Sequence, residues 1–205
     1  MTATGEQAIR SFVAIELPTE VRLTLADIQA RLRVASGGIS WVAPEGVHLT
    51  LRFLGSVPAS TVEHIGAALT TLERAAPFAL ALGGLGAFPH WRAPRVIWMG
   101  LAGDLPALAA LQSQVEDALT PLGFRPEPRP YSPHLTLGRV RNGVRPESLR
   151  PLAQAAQELA VASTPFRASR VTLFQSTLTP AGAVYTALAQ VELGTRPPEH
   201  PGASH

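Results

Sequence analysis

The chain has no cysteine and no lysine. The first absence excludes disulfides, thiolate metal sites and a cysteine nucleophile, and it fits a reducing compartment. The second leaves all 17 basic side chains as arginine. A coding bias toward arginine explains this most simply. Either way, the guanidinium is the better bidentate partner for phosphate oxygens. A strong excess of charge is also missing: the net charge is +2, so the molecule as a whole is not a polycation. The longest weakly polar stretch, Phe78 to Phe88, is interrupted by glycine and too short to span a bilayer. Met1 to Arg10 lacks the basic-then-apolar pattern of a signal peptide. No His-x-His or carboxylate-plus-His cluster stands at metal-ligand spacing, so neither metal nor cofactor is indicated. The expectation is a soluble cytoplasmic protein, monomeric by default.

What remains is globular. With 205 residues, 46% of them hydrophobic and 16% charged, the chain can build a real core. One domain over residues 1–195 is expected, with a disordered Pro/Gly-rich tail at 196–205. Ser11 to Leu17 reads as a buried strand. Val21, Leu25, Ile28 and Leu32 fall on one face of a helix. Ile39 to Val42 reads as a short strand. Val62, Ile65, Leu69 and Leu72 define a second helix, and Leu108, Leu111, Val115 and Leu119 a third, with Asp104 as its N-cap. Pro151 to Leu159 reads as a fourth. Phe78–Leu85, Arg95–Leu101, Phe166–Phe174 and Val184–Val191 read as strands. The four prolines between Phe124 and Pro133 demand an extended connection or an edge strand.

One tetrapeptide, His-Leu-Thr-Leu, occurs twice, at His48–Leu51 and His134–Leu137, 134 − 48 = 86 residues apart. Side chains alternate faces along a strand. His48 therefore shares a face with Thr50, and His134 with Thr136, while each pair of leucines anchors the opposite face. Core packing accounts for the leucines but does not require His and Thr twice at the same offsets. Two matched strands, each followed by a helix, point to an α+β protein with pseudo-twofold symmetry and two lobes.

Two imidazoles and two hydroxyls suit metal-free cleavage of a phosphate ester. One group takes a proton from the attacking water and the other gives one to the leaving oxygen, and histidine can do either near neutral pH. The threonine hydroxyls can donate to the non-bridging oxygens. Arg52 continues the His48 face. The matching position in the second strand is Gly138, and strict alternation would send Arg139 to the apolar side. A bulge at Gly138 would re-aim it. His64 reads as a helix-surface residue, and His90 as a loop residue.

These residues resemble the two-histidine (2H) phosphoesterase superfamily, whose signature is a pair of His-x-Thr/Ser-x motifs. Phe12–Pro18, Trp41-Val42 before His48–Gly55, Pro94–Gly100 and Arg129–Arg139 look like the bacterial and archaeal RNA 2′,3′-cyclic phosphodiesterases, historically called 2′-5′ RNA ligases. Phe174–Pro180 with Tyr185 resembles their C-terminal block. The resemblance implies two antiparallel sheets facing a central cleft, with helices outside. It implies an RNA end bearing a 2′,3′-cyclic phosphate as substrate, hydrolysed without metal to a 2′-phosphate, and it carries reversible 2′-5′ joining with it. It implies His48 as base and His134 as acid, roles the two near-identical motifs leave open. Thr50, Thr136 and Arg139 match phosphate-contacting positions, and Arg52 matches a variable one. Phe12 and Tyr131 are candidates for base stacking, with core packing as the competing explanation. A cyclic phosphate on a nucleotide or an ADP-ribose derivative is the alternative substrate. A module that binds RNA ends without turnover is the alternative class.

Overall fold

The structure is a computed structural model and describes residues 8–35, 37–180 and 182–196. Nine strands form one antiparallel sheet: β1 (Ala8–Glu16), β2 (Ile39–Trp41), β3 (His48–Pro58), β4 (Phe78–Phe88), β5 (Val96–Gly103), β6 (Leu135–Val140), β7 (Pro165–Ala168), β8 (Arg170–Thr179) and β9 (Gly182–Glu192). Four α-helices accompany them: α1 (Thr19–Val34), α2 (Thr61–Leu69), α3 (Leu105–Leu119) and α4 (Arg150–Glu158). The strand order is β7-β4-β5-β6-β3-β1-β8-β9, with β2 on β6 beside this path.

At the middle of that order the sheet almost parts. β3 and β6 are joined by one bridge, Leu49 opposite Leu135. The two sheets expected from the sequence are therefore two halves of one curled sheet, hinged on the paired motif leucines. Each half draws on both parts of the chain. β4, which follows the first motif, pairs with β5 next to the second motif strand. β8, which follows the second, pairs with β1 next to the first. This exchange makes each motif strand a neighbour of the other.

The helices form because their apolar residues recur every three to four positions and can cover the sheet. Val21, Leu25, Ile28 and Leu32 are all at most 4% exposed, and so are Leu108, Leu111, Val115 and Leu119. Asp104 caps α3 as expected, its Oδ1 accepting from the Ala107 N–H at 2.9 Å. α1 lies against α4, and α2 against α3.

Two sequence expectations change. Phe166–Phe174 reads as one strand, but the chain breaks at Ser169. β7 pairs with β4, near one end of the sheet, and β8 with β1, in the other half. The loop expected around Pro180 is also smaller. β8 and β9 run on as a hairpin to Thr179 and Gly182. The expected disordered tail, 196–205, lies outside the described residues except Arg196, which is tied to Glu73 by its backbone N–H (3.1 Å) and its guanidinium (3.3 Å). Among the described residues, no helix is long and apolar enough to cross a membrane.

Candidate functional site

The Leu49–Leu135 bridge fixes what surrounds it. Both leucines are fully buried, so their neighbours His48, Thr50, His134 and Thr136 turn to the other face, where all four are half-buried. Antiparallel register through that bridge sets His48 across from Thr136 and Thr50 across from His134. His48 and His134 lie on the diagonal, positions whose backbones are about 7–8 Å apart in a regular ladder. That is close to the span of a phosphoryl group with a hydrogen bond on either side.

Both rings are held in the same way. His48 Nδ1 lies 2.8 Å from the Gly46 carbonyl, and His134 Nδ1 lies 2.7 Å from the Ser132 carbonyl, each two residues upstream. A carbonyl can only accept, so Nδ1 carries the proton and Nε2 is left for chemistry. Aromatic side chains set the ring planes. Phe12 stacks on His48 at 4.5 Å, and Tyr185 meets it edge-on at 5.0 Å. Phe88 meets His134 edge-on at 4.9 Å. Burial pushes the His48 pKa down to about 4, opposed only in part by the Gly46 carbonyl. His48 is thus neutral at pH 7.

Each motif strand bulges just after its threonine. In β6, Trp98 pairs with Thr136 and Ile97 with Gly138, which leaves Leu137 unpaired. In β3, Ala14 pairs with Thr50 and Val13 with Arg52, which leaves Leu51 unpaired. The extra residue resets alternation. Arg139 therefore returns to the cleft face with Thr136, the re-aiming that strict alternation would forbid. The freed Leu137 carbonyl is satisfied by the Val42 N–H (2.9 Å) and by the side-chain amide of Gln29 (2.9 Å), which is buried in α1. Glycine is needed at 138 because a Cβ there would lie 2.7 Å from Ile39 Cγ2 on β2.

Two adjoining cavities open on this face. One, of about 290 Å³, is lined by His48, Thr136, Arg139, Tyr185 and Arg10. The other, of about 720 Å³, is lined by His134, Tyr131, Phe88 and Arg52. Thr50 and Phe53 border both. Among the described residues, no hydrogen bond engages the Thr50 or Thr136 hydroxyl. Burial raises the Tyr185 pKa, and the nearby charges of Arg139 and Arg10 oppose it.

The other expected site residues are placed differently. Arg52 lines the larger cavity but is committed to protein partners: Glu116 at 3.1 Å, Glu127 at 4.0 Å and the Arg125 carbonyl. A phosphate would have to compete with two carboxylates for it. Phe12 is 3% exposed, so its ring supports His48 and offers no open face to a base. Tyr131 is largely buried and donates its hydroxyl to the Thr50 carbonyl at 3.0 Å, which ties the proline-rich connection to β3. Burial raises its pKa. His64 bonds the Ser60 carbonyl on the exposed face of α2, and His90 is exposed in its loop. Among the described residues, no group of three or more His, Asp or Glu side chains gathers where it could hold a metal ion. Arg10 and Gln29 carry no local sequence signal, Phe53 and Tyr185 stand in the family-like blocks without a role attached to them, and all four enter the site through the fold.

The duplication is visible to a family model as well. The LigT-like phosphoesterase model matches the chain twice, over residues 15–98 and 102–185. The chain belongs to the LigT-like phosphoesterase family. The offset between the two matches is 102 − 15 = 87 residues, nearly the spacing of the His-Leu-Thr-Leu copies. Among relatives of this phosphoesterase, the RNA 2′,3′-cyclic phosphodiesterase of Methanothermobacter thermautotrophicus is 36% identical over 179 residues, covering 87% of this chain and 95% of that protein. The protein of the same name from Aeropyrum pernix is 36% identical over 167 residues, covering 80% and 93%. A Thermus thermophilus crystal structure superposes with a TM-score of 0.76 at 28% identity, over 91% of this chain and 98% of that one. Escherichia coli LigT in its apo form, at 24% identity and a TM-score of 0.70 over 91% and 98%, shares the fold.

Proposed function

We propose that this phosphoesterase is a metal-independent RNA 2′,3′-cyclic phosphodiesterase. The observation that carries the proposal is the seam: one leucine bridge with two identically tethered histidines on its diagonal. Both quoted relatives that bear an enzyme name are called RNA 2′,3′-cyclic phosphodiesterases.

In the proposed reaction, water attacks phosphorus from the smaller cavity. Neutral His48 takes its proton at Nε2 as the new P–O bond forms. The P–O3′ bond breaks on the opposite side, and His134, entering the step as an imidazolium with Nδ1–H still on the Ser132 carbonyl, gives its Nε2 proton to the departing O3′, leaving a 2′-phosphate and a 3′-hydroxyl. His48 suits the base role because burial keeps its lone pair free at neutral pH. Each proton-transfer group contributes on the order of 10² to 10⁴ in rate. Thr50, Thr136 and Arg139 receive the charge that builds on the non-bridging oxygens. Joining of 2′-5′ linkages would run in the same direction with a 5′-hydroxyl in place of water and O3′ again leaving, and the reverse, attack by the 3′-hydroxyl, would cleave that linkage.

End-group analysis of a cyclic-phosphate oligonucleotide incubated in chelator tests the proposal. A 2′-phosphate product is expected, along with loss of most turnover in His48→Ala and in His134→Ala. Dependence on added metal, or near-normal rates in either variant, would reject it.

A further inference from the structure

The two bulges fall at the same place in their motifs and carry different cargo. Each returns to the cleft the residue five positions after its histidine. In the second motif this is Arg139. In the first it is Phe53, which is 63% exposed. An exposed phenylalanine on a sheet strand gains little from the core, and here it stands at the border shared by both cavities. The pseudo-twofold is thus broken at this position, with a cation on one side and a bare ring on the other.

The chemistry of the cleft separates the two sides. His48 lines only the smaller cavity, and His134 only the larger. In-line displacement puts the attacking water on the base side and O3′ on the acid side. The ribose stays attached to O3′, so the nucleoside must lie with His134. At about 290 Å³ the His48 cavity suits a water and a phosphate. At about 720 Å³ the other cavity has the volume and the aromatic lining of a small-molecule site. Phe88 and Tyr131 form its walls, and Phe53 is the ring at its mouth.

We infer that Phe53 is the stacking platform for the terminal nucleobase, and that the cavity it borders with His134 is the nucleoside subsite. This rests on the phosphodiesterase proposal for its orientation. Stacking is indifferent to base identity because every base has a π-face, so the platform predicts tolerance of all four terminal nucleotides. It also assigns stacking to a residue other than Phe12, which is buried beneath it, with ring centroids 6.0 Å apart.

The test uses the full chain and two cyclic-phosphate oligonucleotides, one ordinary and one whose terminal ribose lacks its base. Removing the base should raise the wild-type KM by about tenfold or more, the scale of one base–aromatic stack, with kcat much less affected. Phe53→Ala should raise KM for the ordinary substrate by a similar factor and produce no further rise for the abasic one. Phe53→Trp should restore the difference between substrates, and Phe53→Leu, apolar but without a π-face, should not. Equal effects of Phe53→Ala on both substrates, or rescue by leucine, would overturn the inference. A binding arm measures adenosine 2′-monophosphate against ribose phosphate by calorimetry. There the wild type should prefer the nucleotide by about tenfold and Phe53→Ala should lose that preference. Absence of turnover on any cyclic phosphate would defeat the enzyme proposal alone. An unchanged preference in the binding arm would defeat the platform alone.

Discussion

The side-chain amide of Gln29 donates to the carbonyl of Leu137, 108 residues away, at 2.9 Å. The same amide also donates to the Val42 carbonyl at 2.8 Å. Gln29 therefore fastens the first long helix to the bulge that turns Arg139 into the cleft. A buried amide on a helix face is costly unless its hydrogen bonds are made. Here one amide nitrogen serves two carbonyls, that of Val42 and that of Leu137, the latter shared with the Val42 N–H, while Oε1 of the same amide has no partner among the described residues.

Replacing Gln29 with leucine keeps the bulk and removes both donors. The Val42 carbonyl is then unpartnered, while the Leu137 carbonyl keeps the Val42 N–H. The expected loss of stability is about 1–3 kcal/mol, read by urea denaturation. At temperatures where the variant is folded, kcat/KM should also fall, because the bulge is free to relax to regular pairing. A destabilised variant with wild-type kcat/KM would show that the bulge holds without Gln29.

Arg139 and Arg52 should separate function from stability. Arg139 is exposed beside Thr136, so Arg139→Ala should leave the melting temperature nearly unchanged. It should lower kcat by roughly 10² to 10³, the cost of removing one donor to a developing oxyanion. Arg52 is 11% exposed and faces Glu116, itself 12% exposed. Arg52→Ala strands that carboxylate and should cost about 3 kcal/mol, with a smaller effect on kcat. Introducing Glu116→Gln into the Arg52→Ala background should recover part of the stability. The opposite pattern in the two arginine variants would place the phosphate contact at Arg52.

Much of this arrangement is legible in the sequence because periodicity is a local property. The helix faces of Val21–Leu32 and Leu108–Leu119, the strand faces of the two motifs and the Asp104 cap all follow from spacing of 3.6 or 2. The bulge was readable as a possibility, since Gly138 sat where alternation and the position of Arg139 conflicted. What stayed hidden depends on long-range pairing. Nothing near Ser169 says that the chain will leave one half of the sheet and join the other. Nothing near Tyr185 says that its ring will meet His48. Nothing local marks Phe53: the unpaired Leu51 turns it outward. Arg52 read as a cleft cation because its carboxylate partners, Glu116 and Glu127, lie on segments more than sixty residues away.

The buried state of His48 predicts how both stability and rate respond to acid. Its pKa is about 4 in the folded chain and about 6.5 in an unfolded one. Between those values the unfolded chain binds a proton that the folded chain refuses, so stability rises with pH across this window. The contribution is fully present above pH 6.5 and is lost as pH falls through about 4. At about 1.4 kcal/mol per pH unit, the loss approaches 3 kcal/mol. Denaturation of the wild type and His48→Asn at pH 7, 5.5 and 4 should show the steeper decline in the wild type. Parallel declines would mean that His48 is solvated and titrates normally. The same burial sets the acid side of the rate profile. A base that remains neutral down to about pH 4 keeps kcat/KM high through pH 5, with the acid limb falling only near 4. An acid limb near 6.5 on the oligonucleotide substrate would instead mean that the ring taking the proton from water is not the buried one at position 48.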